Sequence, residues 1–153
     1  MRTVIQLAGL VILAFGFFSS AQAQTGASPA ERQLFVSVNR ARHDQGLPAL
    51  KWDEALAMAA RRHATMMAQR GAAEHVFPGE PNLPSRATKA GAHFASLSEN
   101  VIMGSDIGLI EVEFLKSPNH RANILDTDMD SIGVGVILRA GQFFAVEDFS
   151  KTK

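Results

Sequence analysis

No cysteine occurs anywhere in the chain. Its absence excludes disulfide staples, Cys-ligated zinc and thiol catalysis together. A small exported domain without them is held by core packing alone. Charge of one sign is also missing: 15 Lys and Arg balance 15 Asp and Glu, and no basic stripe appears, so nucleic acid is not an expected partner. After the first 20 or so residues no apolar run is long enough to cross a bilayer. At 153 residues the chain is too short for two ordinary domains, and 46% apolar content is that of a globular one.

The one long apolar stretch is at the start. Arg2 is the only charge before Glu31, Val4 to Phe18 is almost wholly apolar, and Ser19-Ser20 lead into Ala21-Gln22-Ala23. An apolar core followed by an A-x-A site predicts a secretory signal peptide over residues 1–23, cleaved after about Ala23. No cysteine stands there to make a lipoprotein. The expectation is a secreted or periplasmic protein with no transmembrane span in the mature chain: a short lead-in over 24–31, then one domain over 32–150.

Ser28-Pro29-Ala30-Glu31 has the spacing of a capping box with proline at the first helical position, and Leu34, Phe35, Val38 and Ala41 continue at helical spacing to Gly46. Asp53 caps a second helix with Leu56, Ala59, Ala60, His63, Ala64 and Met67 on one face, closed by Gly71. Ala72 to Asn100 is irregular, with a short helix over Ser85–Ala90. Ile107–Leu115 reads as a helix capped by Asp106, and a turn of helix follows around Arg121–Leu125. Ile132 to Val136 and Phe143 to Val146, around Ala140-Gly141, predict an antiparallel hairpin, with Gly133 and Gly135 on one face for something to pack close. The fold class is α+β, a small antiparallel sheet covered by helices.

At Ser117-Pro118-Asn119-His120-Arg121-Ala122-Asn123-Ile124-Leu125 the chain resembles the S-P-G-H-R-x-N-I-L segment of bacterial CAP-superfamily proteins, the group of cysteine-rich secretory, antigen five and pathogenesis-related proteins (SCP-like domains). Four further segments agree in order: Val38 to Asp53, Glu74-His75, Ser98-Glu99-Asn100 against G-E-N, and Ile132-Gly133-Val134-Gly135 against I-G-V-G. The resemblance covers about residues 32–149. It implies an α-β-α sandwich with a cleft lined by two histidines and two acids. His75, Glu99 and His120 match three of these; the fourth acid's position, shortly after Phe114, holds Ser117. Asn119 and Ser98 replace glycines of the pattern.

Spacing alone gives His75, Glu99 and His120 no local ligand motif. Brought together as the resemblance implies, two imidazoles and a carboxylate are a candidate set for zinc or another divalent cation; the competing reading is that they hydrogen-bond each other and orient a ligand. Ser117 and Asn100 complete the expected cleft, Asn100 by satisfying backbone groups. No nucleophile elbow is present, and Ser117 has no assigned acid or oxyanion hole. His63 reads as a satisfied core residue, His43 and His93 as solvated, Trp52 as a core anchor, Met58, Met66, Met67 and Met103 as core filler, and Glu147 and Asp148 as surface acids. Two functions of the cleft follow, beside a third reading as a toxin- or signal-like exported protein recognised through its surface. One is a non-catalytic exported module binding an envelope or extracellular lipid, or a peptide. The alternative is a metal-assisted secreted hydrolase in the same cleft. Oligomeric state is left open.

Overall fold

The computed structural model describes residues 26–153; the signal peptide expected over 1–23 lies outside them. Helix α1 (Pro29–Asp44) is followed by β1 (Lys51–Trp52), α2 (Glu54–Arg70), α3 (Leu83–Ala90), β2 (Phe94–Gly104), α4 (Ile107–Lys116), α5 (Pro118–Ile124), β3 (Ser131–Arg139) and β4 (Gln142–Thr152). The start signals act as the sequence indicates. Ser28 accepts from the Glu31 amide while the Glu31 carboxylate accepts from the Ser28 amide, closing the capping box, so α1 begins inside the expected lead-in. Asp53 caps α2, and Gly71 ends it in the left-handed region.

The strands form one sheet in the order β1-β3-β4-β2. β3–β4 and β4–β2 pair antiparallel, but the two residues of β1 pair parallel with β3, so the sheet is mixed where an antiparallel one was expected. β2 leaves an edge. On one face Ile132, Val134, Ala145 and Phe149 pack with Leu34 and Val38 of α1, Ile110 and Phe114 of α4 and Ile124 of α5. On the other, Val101, Phe144 and Val146 pack with Ala60, Ala64 and Met67 of α2 and with Phe77. This is an α-β-α sandwich.

Gly133 and Gly135 explain how α2 lies so close. A Cβ on Gly133 would stand 2.1 Å from the Ala57 nitrogen, and one on Gly135 would stand 2.3 Å from the Ala60 carbonyl carbon. The alanines of α2 and the two glycines of β3 are thus one feature, backbone against backbone.

Several expectations are corrected. β2 spans eleven residues and takes in the end of the segment read as irregular, because its central residues are polar and still buried. Glu147 and Asp148, expected at the surface, are completely buried. Of the methionines taken as core filler, only Met67 is fully buried; Met58 and Met103 are exposed. Trp52 lies in β1, half-buried, edge-on to Phe35 at 5.5 Å with its Nε1 on Glu54. His63 is in the core and satisfied, and His43 and His93 are exposed.

Candidate ligand-binding cleft

The site is built around the edge strand. Glu99, mid-β2, turns its side chain to the α2 face, in line with Asp148 and Gly133 across the ladder. Its Oε1 accepts from His75 Nδ1 at 2.9 Å and its Oε2 accepts from Arg86 Nη2. Arg86, on α3 and only 6% exposed, also donates from Nη1 to the carbonyls of His75 (3.0 Å) and Pro81 (3.3 Å). One guanidinium therefore fixes both the carboxylate and the loop that presents the histidine. The Glu99 hydrogen bond, opposed by partial burial, raises the pKa of His75. The His75 side chain is 60% exposed, and with Nδ1 spent on Glu99 its remaining nitrogen, Nε2, is the one left for a ligand.

Two groups that sequence reasoning did not assign to this place complete it. Asp148 is fully buried opposite Glu99 on the ladder, and neither of its oxygens has a hydrogen-bond partner; burial, reinforced by the Glu99 charge and opposed by Arg86, holds its carboxyl well above the usual range. His63, on α2, places Nδ1 2.7 Å from Glu80 Oε1 and Nε2 2.8 Å from the Glu74 carbonyl, pinning the loop before and after His75. Glu80 Oε2 accepts from the Phe77 amide inside the same loop. The signal for Arg86 was weak: an arginine in a short amphipathic helix reads as solvated until a buried acid is known to face it.

His120 comes from the other side of the edge. It sits on α5, edge-on to Phe114 with ring centroids 5.1 Å apart. Burial, and secondarily the nearby His75, lowers its pKa, so the two imidazoles of the cleft are shifted in opposite directions. α5 is tied to β2 by amides. Asn100 Nδ2 donates to the His120 carbonyl (3.2 Å), and Asn123 Nδ2 donates to Asn100 Oδ1 (2.9 Å) and to the Glu99 carbonyl (3.2 Å). The last of these occupies an edge carbonyl that an open β2 would otherwise present to another strand. Ser117 ends α4 and starts α5, and its side chain makes no capping bond.

The structure thus joins His75 to Glu99 directly, brings His120 within electrostatic reach of His75, and uses Asn100 as the tie between strand and helix. It does not gather the set as metal ligands: among the described residues no three His, Asp or Glu side chains are grouped to hold an ion. Glu99 has both oxygens engaged by donors, one of them a buried cation, so the residues present do not fit the three-ligand zinc site that the resemblance suggested. Concavities of about 480 Å³ beside Trp52 and Asp130 and about 330 Å³ beside Met103 and Phe144 lie apart from these histidines.

A sandwich of this topology is the fold of the SCP-domain proteins among solved structures. The chain belongs to the cysteine-rich secretory protein family (CAP), whose model matches residues 36–149. It is 31% identical over 108 residues to the uncharacterized membrane protein YlbC of Bacillus subtilis, an alignment covering 70% of this chain and 31% of that protein. The chain spans less than half the length of that relative and of the B. subtilis protein YkwD, 27% identical over 120 residues, 78% of this chain and 47% of the other. Among solved structures, an extracellular SCP-domain protein from Bacillus anthracis superposes with a TM-score of 0.74 at 27% identity, over 80% of this chain and 40% of that one. An outer surface protein from Borrelia burgdorferi superposes at 0.75 with 22% identity, over 81% of this chain and 93% of that one, a likeness of fold. Among the described residues no helix is long and apolar enough to cross a membrane.

Proposed function

We propose that this CAP domain acts outside the cytoplasm as a non-catalytic binding module. In this reading the His75–His120 cleft receives a polar, oxygen-bearing group of an envelope component or peptide. The observation that carries it is the state of Glu99: Arg86 and His75 engage both of its oxygens, so the acid serves as a bracket for His75. His75 is then oriented and biased toward its protonated form, with Nε2 available to donate. A carboxylate, phosphate or carbonyl oxygen is the natural acceptor. Fixed donors on an exposed edge suit recognition, because little has to be ordered when the ligand arrives. Export is part of the proposal and rests on the composition of residues 1–23.

The test uses two probes: soluble peptidoglycan fragments by calorimetry and phosphatidylglycerol vesicles by flotation, each with the parent protein and with His75→Ala/His120→Ala. Saturable binding to either probe, weakened at least about tenfold in the double variant, is the expected result. Binding to neither, or binding that the double variant retains in full, would sink the proposal. Turnover of a peptidoglycan fragment that disappears with His75 would instead favour the hydrolase.

A further inference from the structure

On the α1/α4 face of the sheet, behind the cleft, lies a second pair of acids. Glu147 of β4 is fully buried and Glu111 of α4 is 6% exposed. Glu147 Oε2 accepts from Asn100 Nδ2 at 3.2 Å, while Glu147 Oε1 and both Glu111 oxygens have no donor. Burial, and next the facing Glu111, raises the Glu147 carboxyl, so the pair is held protonated.

No cation offsets the pair among the described residues. α1 buries Glu31, which is tied to Arg61, and Arg42, which is spent on the carbonyls of Pro48, Ile124, Asp126 and Met129. α5 offers His120, half-buried; β3 offers Val134 opposite Glu147, and β2 offers Asn100. α2 covers the other face. Burial is the largest cause raising both carboxyls, with Glu111 at about 7.

Asn100 links this pair to the cleft. The same Nδ2 that bonds Glu147 bonds the His120 carbonyl, and its Oδ1 receives Asn123. α4, which carries Glu111, runs into α5 through the single residue Ser117. We infer that the Glu111–Glu147 pair is a proton-operated latch on the His120 side of the cleft: protonated, it lets α4 seat against β4; deprotonated, it releases the α4–α5 corner that carries His120. The proton goes to solvent, and the second buried negative charge, without a counter-ion, pushes α4 away from the sheet. The consequence for ligand capture rests on the proposed binding role; the latch itself does not.

The experiment is therefore done without ligand. Amide resonances of Asn119 to Ile124 and the Asn100 side-chain NH₂ are followed by NMR from about pH 5 to 9 in the parent, Glu111→Gln and Glu147→Gln. In the parent they are expected to move together in one step above about pH 7, where the second carboxyl gives up its proton, and amide exchange in α5, corrected for its intrinsic pH dependence, to quicken about tenfold across that step. In Glu111→Gln the shared step vanishes while the ring resonances of His75 and His120 still titrate. Glu147→Gln, which keeps an acceptor oxygen for Asn100, serves if Glu111→Gln fails to fold. An α5 step that persists unchanged in the folded variant, or α5 resonances that follow only the imidazoles, would overturn the latch. Either failure leaves the ligand-binding test unaffected.

Discussion

Two glycines and one arginine carry much of the design at the scale of single residues. Alanine at Gly135 would drive its methyl carbon into the Ala60–Arg61 peptide, and backbone cannot swing aside as a side-chain tip can. Gly135→Ala is therefore expected to cost about 3 kcal/mol or more by urea denaturation, at the upper end of overpacking; a loss below about 1 kcal/mol would mean that α2 slides easily. Glu99 governs the protonation of His75. Glu99→Gln removes the main cause of the upward shift, so the His75 pKa measured by NMR should fall; an unchanged value would show that the pair is not formed in solution. His75 also links pH to stability. Its contribution is full below the unfolded value of 6.5 and is lost as pH rises through the higher folded value.

At the scale of elements, local rules were legible where a helix begins or ends and illegible where polar groups are buried. The capping box at Ser28, the Asp53 cap and the Gly71 stop each satisfy their own backbone, so neighbouring residues suffice to read them. The close-packing glycines of β3 were readable for the same reason. β2 was not, because its alternation is broken by Ser98, Glu99 and Asn100, and the partners of Glu99 and Asn100, namely Arg86, Asn123 and Glu147, lie in other elements of the chain. Glu147 and Asp148 misled in the same way: charge implies surface unless burial holds the carboxyl protonated. The α4–β4 contact has a pH signature. Folded Glu111 holds its proton to about pH 7, whereas the unfolded chain gives it up near 4.5. The folded state binds more protons in that window, so the contact's stability falls as pH rises from about 4.5 to about 7. Glu111→Gln should flatten that slope and raise the melting temperature at about pH 8; a variant melting lower than the parent there would contradict it.

For the molecule as a whole, the positions of the candidate cleft residues were legible through family resemblance and their contacts were not. His75, Glu99 and His120 are scattered in sequence, and only the sandwich, with β2 at its edge and α3 and α5 to either side, brings them to one place. The resemblance supplied those positions. It gave no sign of Arg86, because an arginine's worth to a distant glutamate depends on a helix placement that no local pattern encodes. That arginine decides the character of the cleft: a carboxylate already neutralised by a buried guanidinium and bonded to one histidine has little left to offer a metal ion. The most direct measurement is a zinc titration of the protein followed through the His75 and His120 ring resonances, with calorimetry alongside. The expected result is no saturable binding tighter than about 1 mM, roughly 4 kcal/mol, and ring signals that respond only to pH. Micromolar binding that shifts both rings and is lost in His75→Ala/His120→Ala would contradict the account, since Glu99 would then have to leave Arg86 to serve the ion.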